Sequence, residues 1–302
     1  MSSELQWIDR IRRRAGLGRA SGIVLGIGDD CAVFRPRGSA EDLLFTTDLL
    51  LEDVHFRRWT HTAEDVGWKA VARGLSDVAA MGGTPRFFLL SLAVGRWATD
   101  RWVDGFYSGA LRLARREGLP LIGGDLARSN KLACDVVVCG SVPRGTALRR
   151  DGARTGEGVY VSGRLGGSAL GLQRRRGTAW RRHTRPEPRL ALGRFLRERL
   201  HATAAMDLSD GLSLDLRRLC LASKRGAAIE APPRFPGATL EQALHGGEDY
   251  ELLFTVPTGK RVPREFERIP LTRIGTIVKG RAGSVRIGGA PLEPLGFDHF
   301  RG

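Results

Sequence analysis

The sequence predicts a mixed α and β protein built as two α+β domains. Strand-like apolar runs alternate with capped, amphipathic helix patterns. That alternation restarts after Pro143–Gly158, a stretch rich in glycine and charge that reads as a linker. The length of 302 residues also suits two domains at ~150 residues each. The expected division is residues 1–145 and 146–302, rather than one doubly wound sheet.

The elements follow in order. Leu43–Thr47 is a short apolar run and reads as a strand. Thr62-Ala-Glu-Asp65 resembles a capping box and starts a helix running to about Met81, with Val66, Ala70, Val78 and Met81 near one face. Gly82-Gly-Thr-Pro85 stops it, and Phe87–Val94 follows as a strand. Thr99 caps a second helix whose stripe is Trp102, Phe106, Ala110, Leu113 and Ala114, ended by Gly118 and Pro120. Asp135–Val142 is β-branched and reads as a strand. In the second half, Val159–Ser162 is a strand and Gly163–Gly167 a turn into a helix. An Arg-rich loop precedes a helix near Glu187–Arg199. Met206–Gly211 reads as a turn into a helix over Leu212–Ser223, and Glu251–Val256 and Leu271–Val278 are strands.

Composition excludes several classes. No apolar run approaches the ~18–20 residues of a membrane span. Residues 1–7 contain no apolar signal core, and four cysteines do not make a disulfide framework, so a cytoplasmic chain with buried thiols is expected. The net charge of +15 raises the question of nucleic acid. Residues 1–145 hold 20 basic and 17 acidic side chains, leaving 28 and 16 for the remainder. The Arg-dense segment Gln173–Arg189 carries seven arginines but one aromatic residue, Trp180. Basic residues interleaved with aromatics are therefore missing, which argues against nucleic acid as a partner.

The aspartates are more informative. They recur beside Gly, Ser or Thr in Gly28-Asp-Asp30, Thr46-Thr-Asp48, Leu75-Ser-Asp77, Gly123-Gly-Asp125 and Met206-Asp-Leu-Ser-Asp-Gly211, with Gly246-Gly-Glu-Asp249 alongside. Asp beside Gly is ordinary turn chemistry when met once. Several such clusters brought together would repel unless cations neutralised them. Oxygen donors without His or Cys select Mg²⁺, which shares its shell with water and phosphates. A nucleotide site with several Mg²⁺ ions is expected, built without a P-loop or protein-kinase motifs, since neither is present.

Leu25-Gly-Ile-Gly-Asp-Asp-Cys-Ala-Val33, Thr46-Thr-Asp-Leu-Leu-Leu-Glu-Asp-Val-His-Phe56 and Lys69-Ala70 with Leu75-Ser-Asp-Val-Ala-Ala-Met-Gly82 carry a resemblance. Ile122-Gly-Gly-Asp125, Met206–Leu212, Gly246-Gly-Glu-Asp-Tyr-Glu-Leu252 and Gly296-Phe-Asp-His-Phe300 complete it, in order and almost end to end. Together these motifs resemble the thiamine-monophosphate kinase family. The resemblance implies a two-domain aminoimidazole ribonucleotide synthetase-like fold, with an N-terminal domain that forms a homodimer and a C-terminal α/β domain that closes the cleft. It implies ATP-dependent phosphorylation of thiamine phosphate to thiamine diphosphate, with several Mg²⁺ ions and K⁺. By position, Asp30, Thr46, Thr47, Asp48, Asp77, Asp125, Asp207 and Asp210 would ligate metal, unless Asp29 takes the place of Asp30. Gly124, Asp125, Arg150 and Ser209 would contact ATP, unless Arg149 takes the place of Arg150. His55, Glu248 and Phe297 would contact thiamine phosphate.

Elementary chemistry fits those roles. The acceptor phosphate oxygen is already ionised, so no side chain is required as a general base, and catalysis reduces to alignment and charge neutralisation. Arg150 offers a planar fork to phosphate. A helix starting near Ser209 would aim N–H groups at phosphate. Glu248 would face the cationic ring, and Phe297 would offer it an aromatic surface. The chain departs from the family pattern at Arg73-Gly74, where an Asn is common beside the Leu, and at Leu126, where a Thr is usual. Proteins with the same fold, such as selenophosphate synthetase or a hydrogenase-maturation dehydratase, would carry a reactive Cys in an N-terminal loop or a C-terminal Cys. The last cysteine here is Cys220. Aminoimidazole ribonucleotide synthetase itself shares the fold, and an inactive paralogue serving as a scaffold would share it too. The intact acidic set argues against the scaffold.

Overall fold

The structure is a computed structural model that describes residues 4–16 and 22–300. Of the N-terminal stretch considered above for a signal, residues 1–3 lie outside the described residues. The chain runs α1 (Glu4–Ala15), β1 (Ile23–Leu25), β2 (Ala32–Phe34), β3 (Glu41–Leu51), α2 (Ala63–Ala80), β4 (Thr84–Gly95), α3 (Asp100–Arg116), β5 (Leu121–Ser129) and β6 (Ala133–Pro143). It continues with β7 (Gly158–Ser162), α4 (Gly167–Arg174), α5 (Gly177–Thr184), α6 (Leu190–Phe195), β8 (Ala204–Asp207), α7 (Leu212–Ala222), β9 (Gly226–Ile229) and α8 (Leu240–His245). The last strands are β10 (Leu252–Val256), β11 (Glu265–Phe266), β12 (Ile269–Val278), β13 (Val285–Ile287) and β14 (Ala290–Pro291).

The first six strands form one sheet in the order β1-β2-β3-β6-β4-β5. β3 outgrows the expected Leu43–Thr47 at both ends because it pairs with β6 along its whole length, from Glu41 opposite Pro143 to Leu51 opposite Ala133. α2 starts where the capping box places it. Thr62 Oγ1 accepts the Asp65 N–H at 3.2 Å, and the Asp65 carboxylate accepts the Thr62 N–H at 3.4 Å. α3 starts at its Thr99 cap. The two helices lie unusually close: a Cβ on Gly67 would sit 1.9 Å from Phe106 O, and one on Gly109 would sit 2.0 Å from Glu64 O. They cover one face of the sheet and bury Leu44, Leu50, Phe88, Leu90, Leu92, Val136 and Val138. Each such side chain contributes ~1.5–3 kcal/mol on burial. The opposite face carries half-buried Leu43, Phe45 and Leu89 and exposed Leu49.

The second sheet runs β14-β13-β9-β12-β7-β10-β8, with β11 paired to β12. β10 is buried at every position because both faces are covered. Leu253 packs with α7 residues such as Leu216 and Leu219, while Leu252 and Phe254 pack with Leu192 and Leu196.

The structure corrects several expectations. The Arg-rich loop contains the helix α5. The helix expected near Glu187 begins at Leu190, because Pro186 and Pro188 precede it. Met206 and Asp207 belong to β8 rather than to a turn. The linker Pro143–Gly158 includes a 3₁₀ turn, Arg150–Gly152, that packs against the site. The strand β5 and the helix α1 have no counterpart among the elements read from the pattern.

α2 joins the two halves. Trp68 Nε1 donates to Pro186 O at 2.9 Å, Arg185 Nε donates to Asp65 at 2.5 Å, and Ser76 Oγ donates to Asp207 Oδ2 at 2.6 Å.

Candidate active site

A cleft of about 310 Å³ opens between α2, the start of α7, the loop after α8 and the C-terminal segment. The loop after α8 is zipped to the end of β8: Glu248 N–H donates to Ser209 O at 2.7 Å, Tyr250 N–H to Leu208 O at 3.0 Å, and Leu208 N–H to Glu251 O at 2.8 Å. Phe297 is fastened to the same turn by its N–H on Asp210 O at 2.9 Å.

At one part of the cleft, Asp30, Asp77 and Asp207 bring carboxylate oxygens within 4.8 Å of one another. They come from the turn after β1, the last turn of α2 and the end of β8. Asp77 accepts the Thr46 hydroxyl, and Asp207 accepts Ser76. Burial and then the neighbouring carboxylates push Asp77 and Asp207 well above the usual carboxylate range. Asp30 Oδ2 is buried without a hydrogen-bond partner among the described residues. Three crowded carboxylates with an unused oxygen fit a hard divalent cation.

The geometry separates Asp29 from Asp30. Asp29 accepts the N–H groups of Asp30 at 3.0 Å and Arg150 at 3.1 Å and so shapes the turn. Burial, then the Asp30 charge, raise it to about 7. It is Arg150, not Arg149, whose guanidinium reaches Asp30; Arg149 pairs with Asp151. Asp48 and Asp210 each hold an arginine as well, Arg73 at 3.0 Å and Arg218 respectively. Ser209 and Asp210 line the cleft. The N–H groups of Asp210 and Gly211 are both taken by the Asp215 carboxylate at 3.0 Å. The helix begins at Leu212 rather than near Ser209, and these two N–H groups before it are not free for a phosphate.

His55, Glu248 and Phe297 meet at another part of the cleft. His55 Nδ1 accepts the Leu51 N–H at 3.0 Å, and burial lowers its pKa to about 3, so the ring is neutral. Its ring packs on His299 at 5.2 Å, and His299 packs edge-on against Phe297 at 4.8 Å. Glu248 is ionised: burial works against its charge, but Lys69 and His183 outweigh it and hold it at about 2. The result is an anionic carboxylate beside aromatic rings.

A family model described as AIR synthase related protein, N-terminal domain, matches residues 28–142. The chain is 38% identical over 306 residues to the thiamine-monophosphate kinase of Escherichia coli (strain K12), covering 92% of both chains. It is 33% identical over 310 residues to the thiamine-monophosphate kinase of Bacillus subtilis (strain 168), covering 93% of this chain and 95% of the relative. A solved structure described as AaThiL complexed with AMPPCP and TMP superposes with a TM-score of 0.87 at 33% identity, over 99% of this chain and 97% of that one. The chain belongs to the thiamine-monophosphate kinase family.

Of the residues that the resemblance to thiamine-monophosphate kinases singles out, Thr47, Gly124 and Asp125 stand apart from the cleft in the single chain. Thr47 alternates to the outer face of the sheet, where its hydroxyl donates to Asp135 Oδ1 at 2.7 Å. Gly124 and Asp125 are exposed on the edge strand β5. Arg73, His183 and Tyr250 line the cleft but receive no role from the sequence motifs, and neither does Lys69, which is buried behind it against Glu248. A signal for Lys69 and Arg73 exists. Lys69, Arg73 and Asp77 recur every four residues and form one charged stripe on a helix whose other faces are buried.

Proposed function

We propose that this thiamine-monophosphate kinase family member transfers the γ-phosphoryl group of ATP to the phosphate of thiamine phosphate, giving thiamine diphosphate and ADP. The observation that carries this reading is the pairing of one acidic triad with one anionic, aromatic pocket in the same cleft. AMPPCP and TMP in the similar structure support it. Asp30, Asp77 and Asp207 would hold Mg²⁺, with Thr46, Asp48 and Asp210 at its margin. When bound, the metal supplies charge neutralisation for the phosphates. K⁺ rests on the family resemblance alone.

The chain's own groups do the positioning. Glu248 attracts the cationic ring, and Phe297 and His55 give it aromatic contact. Arg150 and Ser209 would contact the phosphates of ATP. No side chain is assigned as a proton acceptor, because the attacking phosphate oxygen carries its charge already.

The chain is also proposed to act as a homodimer in the cytoplasm, with domains at 1–145 and 146–302. The bare outer face of the first sheet, with Leu43, Phe45, Leu49 and Leu89, supports the dimer. A second copy on that face is the route by which Thr47, Gly124 and Asp125 would join a site. No helix among the described residues is long and apolar enough to cross a membrane. The test of the reaction is ADP release in the presence of ATP, Mg²⁺ and each candidate acceptor. Release should require thiamine phosphate and should not be sustained by thiamine; equal release with both removes the proposed acceptor.

A further inference from the structure

We infer that Arg73 binds the acceptor phosphate, the phosphate monoester of thiamine phosphate, and thereby sets the preference for a phosphorylated over an unphosphorylated acceptor. This rests on the function proposed above and deepens it.

Lys69, Arg73 and Asp77 follow one another at four-residue intervals along α2, so each is about 6 Å of helix rise from the next. Lys69 holds Glu248, whose carboxylate faces the cation pocket, and Asp77 belongs to the acidic triad. Arg73 stands between the two. A thiamine phosphate lying along this stripe, with its ring at Glu248 and its reacting end toward the triad, puts its phosphate at Arg73. The side chain lines the cleft and is 13% exposed.

Its fork is fixed in place. Nη2 donates to Asp48 Oδ1 at 3.0 Å and Nη1 to Leu49 O at 3.0 Å. The other N–H groups of the five-donor guanidinium have no hydrogen-bond partner among the described residues. Asp48 stands outside the acidic triad, and in this structure its carboxylate orients a cation that the chain itself supplies. A guanidinium held in place with free donors toward a cleft is a phosphate-binding group.

The test is calorimetric binding at saturating Mg²⁺ without nucleotide, where no turnover occurs. Wild type, Arg73→Met and Arg73→Lys are titrated with thiamine phosphate, thiamine and, separately, a non-hydrolysable ATP analogue. Arg73→Met should weaken thiamine phosphate at least about tenfold and leave thiamine and the analogue within about twofold, with Arg73→Lys in between. If Arg73→Met does not fold, Arg73→Lys must still lose affinity for thiamine phosphate and not for thiamine. An unchanged preference for thiamine phosphate over thiamine in a folded variant overturns the inference, as does a loss confined to the ATP analogue. Wild type that binds neither thiamine compound overturns the proposed function itself, and the role of Arg73 with it.

Discussion

Lys69 and Glu248, 179 residues apart in sequence, form an ion pair at 2.7 Å in which the lysine side chain is fully buried. The ammonium also donates to His55 O at 3.1 Å, so one helix residue positions two groups of the cation pocket. Glu248→Gln removes the charge facing a fully buried ammonium and should lower unfolding free energy by about 3 kcal/mol. Lys69→Met leaves behind a carboxylate that is 23% exposed and should cost less. Denaturant midpoints of the two variants check the order, and a larger loss in Lys69→Met contradicts it.

Asp77→Asn should trade activity for stability. The buried triad places like charges together, so removing one relieves repulsion when no cation is bound. Melting without divalent metal should occur at the same temperature as wild type or higher. Turnover should fall at least about 100-fold. The rise in melting temperature that Mg²⁺ produces in wild type should shrink. A variant that keeps both turnover and the Mg²⁺ effect would remove Asp77 from the metal site.

Acid stability should depend on Glu251. Its fully buried carboxylate is held by Arg182, by Arg189 at 2.5 Å and by Ser162 at 2.6 Å. Burial opposes the charge, but Arg189 and Arg182 outweigh it and lower the pKa from 4.5 to about 2. A depressed carboxylate contributes its stability above the unfolded value and loses it as pH falls through the folded one. The contribution, about 3 kcal/mol, should be complete above pH 4.5 and disappear toward pH 2. Subtracting the pH profile of Glu251→Gln from that of wild type isolates this window. A flat difference between pH 5 and 2 contradicts the pairing.

The Arg-dense segment divides into two groups. Arg182 and Arg189 clamp Glu251, and Arg185 binds Asp65 across the two halves. Arg174, Arg175, Arg176 and Arg181 are exposed. Arg175→Glu with Arg176→Glu should leave the melting temperature unchanged and slow association of ATP at low salt, with the difference vanishing near 1 M salt. Stopped-flow association rates check this, and a salt-independent effect contradicts steering.

What the sequence makes legible is local. The Thr62 and Thr99 caps, the apolar stripe of α3 and the β-branched run of β6 each carry their own signal and form as read. The acidic motifs also mark three residues that meet, Asp30, Asp77 and Asp207. Long-range pairing is not legible. Arg182, Arg185 and Arg189 look like solvated charge until the fold supplies Glu251 and Asp65, 62 to 120 residues away. β5 escapes the pattern because an exposed strand containing Gly123 and Gly124 has no apolar face to show. Thr46 and Thr47 look equivalent in sequence, yet strand alternation sends one toward Asp77 and the other to the outer face.

The central claim is that this cleft joins phosphate to phosphate on thiamine. ³¹P NMR of the purified protein with ATP, Mg²⁺ and thiamine phosphate tests it most directly. The thiamine phosphate resonance should be replaced by the two coupled resonances of thiamine diphosphate, with one ADP formed per diphosphate. Persistence of the thiamine phosphate resonance while ATP is converted to ADP and inorganic phosphate would contradict the account.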